Sequence, residues 1–119
     1  METLVYRGRL VEKYWAEDDS ILHLEGAEEP FALKLDEDFG GRLVTVRYYI
    51  CGSECTLEEA QESFLKQLSG VVETDIGAHY SEITGHLWTD EGVKIGGHDL
   101  IAELHSFIGK WLILLVDIH

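Results

Sequence analysis

Six histidines and two cysteines are the residues of this chain best suited to metal or nucleophilic chemistry. His98 and His105 are seven positions apart, so a helix there would carry both on one face. Neither His-x3-His nor His-Glu-x2-His occurs, and those spacings are what put two imidazoles on adjacent turns of a zinc helix. His23, His79, His86 and His119 are scattered and read as ordinary surface or core histidines. Cys51 and Cys55 bracket Gly-Ser-Glu, and no second cysteine pair exists to close a tetrahedral site. They are expected to be reduced structural thiols. No Gly-x-Ser-x-Gly elbow is present, and Gly40-Gly41 and Gly96-Gly97 lack the Walker lysine of a phosphate loop. Acid pairs abound, but 119 residues leave little chain for a sugar-binding cleft. The expectation is a protein that is not an enzyme, with no catalytic, cofactor or metal residues.

Carboxylates are the other abundant chemistry. Twenty-three Asp and Glu against nine Lys and Arg give a formal charge of −14. The surplus is uneven: residues 1–50 hold eleven acids and six bases, residues 51–119 twelve acids and three bases. Such a surface repels phosphate backbones and anionic membranes, and attracts cations and basic protein surfaces. Three acidic clusters are candidate partner-binding residues: Glu17, Asp18 and Asp19; Asp36, Glu37 and Asp38; and Glu58, Glu59 and Glu62. Turn chemistry explains the first two as well, and the helix dipole the third.

The bases favour the first half. Tyr6, Tyr14, Trp15, Tyr48, Tyr49, Trp88 and Trp111 fall largely in strands, and with Arg7, Arg9, Lys13, Arg42 and Arg47 of the first half they would form a surface for nucleic acid or another anion. Core rings with snorkelling cations are the plainer reading.

These residues need elements to position them. Residues 3–15 read as a long bent strand broken by Gly8, followed by a turn at 17–20 and a strand at 21–25. Phe31, Leu33 and Leu35 alternate with Ala32, Lys34 and Asp36, which predicts a half-buried strand and a turn at 36–41. Residues 42–50 are a β-branched and aromatic strand. Thr56-Leu57-Glu58-Glu59 is a capping box, and the spacing of Leu57, Ala60, Phe64, Leu65 and Leu68 predicts a helix over 57–69 stopped by Gly70. Val71–Ile76 is a short strand or an extended linker, and Tyr80–Trp88 a strand with Ile83, Gly85 and Leu87 on one side. A hairpin turn at 89–92 and a return strand at 93–95 follow. Asp99 caps a helix carrying Leu100, Ile101, Leu104 and Ile108, and the apolar run 111–118 is a strand buried on both faces.

The halves resemble each other. Tyr6-Arg7-Gly8-Arg9-Leu10 stands against Ile83-Thr84-Gly85-His86-Leu87, Gly26 against Gly96, and Phe39-Gly40-Gly41-Arg42-Leu43 against Phe107-Ile108-Gly109-Lys110-Trp111. The expected fold is α+β and mainly β, one domain over 1–119 with two short helices. Its sheet is a six-strand barrel, pseudo-duplicated or like an oligonucleotide-binding barrel, or else a bent antiparallel sheet. The expected core is Leu10, Leu22, Leu33, Val44, Val46, Phe64, Leu65, Leu68, Ile83, Leu87, Leu104, Leu112, Leu114 and Val116.

With no signal peptide and no apolar run near the ~20 residues of a membrane span, a cytoplasmic protein is expected. The expected function is an acidic, non-catalytic interaction module. It would act as an inhibitor or immunity-type protein on the basic, nucleic-acid-binding surface of a partner enzyme. The alternatives are a barrel that binds nucleic acid or a small ligand through the Arg7–Arg47 patch, and a small metal-dependent enzyme using the histidines.

Overall fold

A computed structural model describes residues 2–14, 20–62, 66–85 and 87–119. The first half runs β1 (Glu2–Tyr14), β2 (Ser20–Leu24), α1 (Phe31–Phe39) and β3 (Leu43–Cys51). A short α2 (Leu57–Gln61) leads to β4 (Lys66–Tyr80), β5 (Leu87–Ile95), β6 (His98–Asp99), α3 (Leu100–His105) and β7 (Trp111–Ile118). The class is α+β and mainly β, as the patterning predicts. The seven described strands form one antiparallel sheet in the order β2-β1-β7-β3-β4-β5-β6.

That sheet is not a six-strand barrel, nor an oligonucleotide-binding one, and three helices accompany it among the described residues. No ladder joins β2 to the other end of the sheet. Across that gap the Leu22 amide donates to the Glu91 carboxylate of β5 at 2.9 Å. A side chain takes the place that a backbone carbonyl would occupy in a closed barrel, so the edges approach without pairing.

The apolar run at the C-terminal end explains the centre of the sheet. β7 lies between β1 and β3, and Leu112 to Val116 are all buried. Leu112, Leu114 and Val116 face the main core with α1 and α3, while Ile113 and Leu115 face a second cluster under α2. A strand covered on both faces has no use for polar alternation, which is why the run reads as continuous.

The two halves share a ββαβ plan. The Gly109 amide donates to the Leu10 carbonyl at 2.8 Å, and the Gly41 amide donates to the Val72 carbonyl at 3.0 Å. The Leu10 amide donates to Lys110 and the Val72 amide to Arg42, both at 2.9 Å. Leu10 in β1 therefore matches Val72 in β4, Arg42 matches Lys110, and each half closes on a strand of the other. The β3–β7 ladder repeats this symmetry, since Val44 pairs with Ile118 and Ile50 with Leu112. The expected match of Gly8 with Gly85 is corrected: Gly8 and Gly70 are the equivalent positions, two residues before Leu10 and Val72. The sequence match of 39–43 with 107–111 holds in the structure, whereas that of Gly26 with Gly96 is one residue off: Leu24 and Ile95 are equivalent, so Gly26 corresponds to Gly97, with φ of +88° and +84°.

Local expectations failed where short apolar patterns admit two periods. Residues 31–35 are not a strand. Phe31, Ala32, Leu35 and Phe39 are the buried face of α1, which also takes in Asp36, Glu37 and Asp38, expected in a turn. The capping box at Thr56 forms, yet α2 ends at Gln61 and β4 begins at Lys66, so 57–69 is not one helix. Leu68 is worth more opposite Val46 in the β3–β4 ladder than on a fourth helical turn, and Gly70 lies inside that ladder opposite Val44. Phe64 and Leu65 lie outside the described residues. Residues 89–92 are not a turn but part of β5, and the chain turns over 82–84 instead. Ile83, expected in the core, is 97% exposed, Leu33 is half-buried, and the Leu87 side chain lies outside the described set. The core gains Phe31, Leu35, Phe39, Val72, Ile95, Leu100 and Ile101.

Gly96 is the tightest crossing in the fold. Its φ is +58°, and a Cβ there would lie 2.2 Å from the Ser69 carbonyl oxygen. Gly96→Ala combines a left-handed backbone with a backbone clash, so a cost of about 2 kcal/mol or more is expected. Thermal unfolding should fall by roughly 6–12 °C. An unchanged melting temperature would place Gly96 away from β4.

Candidate interaction surface

The sheet's second hairpin gathers acids that the three sequence clusters omit. From Gln67 to Val93 there is no Lys or Arg, while Glu73, Asp75, Glu82, Asp90 and Glu91 all fall in that stretch. In the β4–β5 ladder Glu73 pairs with Lys94, Asp75 with Gly92 and Gly77 with Asp90. The odd-numbered acids of β4 thus share a face, and α3 packs beside β5 with its capping Asp99. The result is a cleft of about 510 Å³ lined by Glu73, Asp75, Asp90, Glu91 and Asp99, with Lys94 and His105.

Part of this acidity is structural. Glu91 holds the Leu22 amide with one oxygen and His105 Nε2 with the other, tying β2, β5 and α3 together. Asp99 accepts from the Ala102 amide at 3.1 Å, an N-cap bond. Glu73 and Asp75 are exposed on β4 and project their charge into solvent. Carboxylates this dense raise local cation concentration and speed the approach of a basic surface.

The two described clusters of acids singled out from sequence do not form one surface. Glu17, Asp18 and Asp19 lie outside the described residues. Asp36 accepts from the Thr74 hydroxyl at 2.7 Å, and Asp38 from the Tyr6 hydroxyl at 2.7 Å and Lys34 at 3.3 Å. Both fasten α1 to the sheet, and of that cluster Glu37 is the exposed member. Glu58 and Glu62 are exposed on and beside α2, and Glu59 closes the capping box with Thr56. α1 packs in the main core and α2 on the second cluster, opposite faces of β7, so these two clusters point apart.

Most of the remaining candidates are held by contacts of their own, while the side chains of Tyr14, Trp15, His79 and His86 lie outside the described residues. Cys51 and Cys55 form a disulfide rather than free thiols, closing the loop that delivers α2 onto Ile113 and Leu115. Their Cα atoms are 6.6 Å apart, within bonding reach, which spacing alone does not reveal. His98 faces Glu103 at 3.8 Å and His105 faces Glu91, so the pair is drawn to different carboxylates. Buried His23 contacts the Ile21 carbonyl through Nδ1, and His119 contacts the Thr45 hydroxyl. Among the described residues no three His, Cys, Asp or Glu side chains assemble as a metal-binding group. The basic patch is dispersed too. Arg9 donates to the Gly109 carbonyl, Lys13 to the Ala27 carbonyl, and Arg47 pairs with Asp117 at 3.6 Å. No helix among the described residues is long and apolar enough to cross a membrane. Comparison of the chain with known protein families, curated proteins and solved structures finds no match, so its functional reading rests on geometry and charge.

Proposed function

We propose that this chain is a non-catalytic interaction module that captures a basic protein surface through the acidic cleft of β4, β5 and α3. The supporting observation is the cleft itself: five carboxylates around about 510 Å³, with one lysine and one histidine in the lining. An inhibitor or immunity-type role follows from the chemistry of the partner. Surfaces rich enough in Lys and Arg to match this cleft are those that bind nucleic acid, and an acidic protein docked there blocks the substrate. A cytoplasmic site of action has the Cys51–Cys55 bond against it, because disulfides are rare in reducing compartments.

The test pairs capture with charge reversal. The protein is immobilised, basic proteins are captured at low and high salt, and the on-rate of the captured partner is measured. Glu73→Lys with Asp75→Lys should slow association by roughly tenfold at low salt and leave the melting temperature unchanged, since exposed rim charges chiefly set on-rate. Glu58→Lys with Glu62→Lys, reversed on and beside α2 and outside the cleft lining, should have a smaller effect. Equal effects of the two pairs would reduce the cleft to general acidity. Capture of bare DNA or RNA in place of protein would favour the basic-patch reading.

A further inference from the structure

The internal symmetry shows what the fold requires of each half and what one half adds. In the second half the chain after β5 returns as β6, with His98 pairing with Ile95 and Asp99 with Lys94. Ile95 is thereby fully buried. Its counterpart in the first half is Leu24, because Leu10 pairs with Leu24 as Val72 pairs with Ile95. There the chain makes no returning strand. It turns at Gly26, with the Ala27 amide donating to the Leu24 carbonyl at 2.9 Å, and reaches Pro30 through Glu28 and Glu29. Leu24 stays half-buried, and a cleft of about 550 Å³ opens between this loop, β1 and the start of α1.

The cleft has an apolar floor and an acidic rim. Tyr6 and Phe31 supply the floor, their rings edge to face with centroids 5.9 Å apart, and Leu24 and Ala27 line the sides. Tyr6 and Phe31 are core residues, so the floor is rigid. Glu28 and Glu29 stand at the rim, and the Glu37 carboxyl on α1, just outside the lining, lies near that of Glu29. Partial desolvation and then the Glu29 charge raise the Glu37 carboxyl from its ordinary value, although Lys34 partly offsets this. Lys34, the cation in the lining, is 3.3 Å from Asp38 and committed to it. Two carboxylates held together beside an apolar opening lose repulsion when a cation arrives.

We propose that this cleft binds a small organic ammonium compound, its aromatic or alkyl body on Tyr6 and Phe31 and its charged head at Glu29 and Glu37. The volume is in the range of small-molecule pockets and exceeds what one lysine or arginine side chain fills, which sets a free small molecule apart from a partner's side chain. An ammonium over the rim gains from the carboxylates, and a carboxylate-bearing ligand of the same shape is repelled. The site is separate from the β4–β5–α3 cleft, so neither proposal depends on the other.

The experiment is a titration of the full chain, followed through its backbone amide resonances, with three probes. Phenethylammonium has body and charge, hydrocinnamate has the body with the opposite charge, and ethylammonium has the charge alone. Phenethylammonium should give saturable shifts centred on Leu24, Ala27, Phe31 and Lys34, and each of the other probes at least tenfold weaker binding. Glu29→Gln with Glu37→Gln should weaken phenethylammonium roughly fivefold, the effect of two exposed charges. Ala27→Trp should abolish binding by filling the cleft, and the glutamine pair carries the test if that variant does not fold. Equal binding of hydrocinnamate overturns the assigned charge. Absence of saturable shifts in the cleft at millimolar phenethylammonium overturns the site.

Discussion

Leu114→Asp is expected to leave no cooperatively folded protein. Leu114 is fully buried at the midpoint of β7, opposite Tyr6 on β1 and Tyr48 on β3. Its neighbours in the main core are aliphatic and aromatic, and β7 is covered on both faces. A carboxylate there loses its hydration and gains no partner, which costs several kcal/mol. Loss of the leucine adds about 2–5 kcal/mol for transfer and cavity. The sum meets or exceeds the ~5–15 kcal/mol that holds most domains together. Circular dichroism and heteronuclear spectra should show an unfolded chain. Val5→Asp is the matched control on the adjoining strand: Val5 is 44% exposed, and a change within about 1 kcal/mol is expected. A folded Leu114→Asp protein with a normal melt would remove β7 from the centre of the sheet.

How well this fold could be read depends on how far each segment's pattern extends. The run Trp111–Ile118 has eight residues with no polar residue before Asp117, and only a strand covered on both sides accommodates that. Asp99 with Leu100, Ile101 and Leu104 gives both cap and period, and α3 forms with its N-cap bond to Ala102. Residues 31–35 offered five positions, too few to separate a period of two from one of 3.6. By alternation Leu33 belongs with Phe31 and Leu35; in α1 it is half-buried while Ala32 is fully buried. The region after Thr56 failed differently. Its cap was legible and formed, but Leu68 is claimed by a ladder with β3, a contact 22 residues away that no local pattern contains.

The candidate surface was half legible for the same reason. Charge totals point to acids, and clustering along the chain points to Glu17–Asp19, Asp36–Asp38 and Glu58–Glu62. Clusters in sequence are often local chemistry, and here Asp36 and Asp38 hold hydroxyls while Glu59 caps a helix. The cleft acids are spread over residues 73–99 and meet only because β4, β5 and α3 are adjacent. The available signal was negative: a long stretch without Lys or Arg.

Alkaline pH should unfold this protein cooperatively, with Tyr6 and Tyr48 ionising only as the fold is lost. Each half ties a helix to the sheet by a tyrosine: the Tyr6 hydroxyl donates to Asp38 on α1 at 2.7 Å, and the Tyr48 hydroxyl to Glu103 on α3 at 3.2 Å. Burial first, and then the facing carboxylate, push both phenols well above their ordinary value of 10.0. A folded-state value raised above the unfolded one means that the native state keeps a proton the unfolded state releases. The stabilisation is therefore complete below about pH 10 and is lost as the pH rises toward the folded values. The slope approaches about 1.4 kcal/mol per pH unit for each tyrosine, so two of them drain a marginal fold within a few units. Near-ultraviolet tyrosinate absorbance should show part of the five tyrosines titrating near pH 10, and the rest together with loss of circular dichroism. Tyr6→Phe with Tyr48→Phe should move the alkaline midpoint upward, with Lys34 still on Asp38 and Lys66 still on Glu103. Complete tyrosine titration near pH 10 in a protein that keeps its native dichroism would mean that both hydroxyls face solvent and neither helix is tied by them.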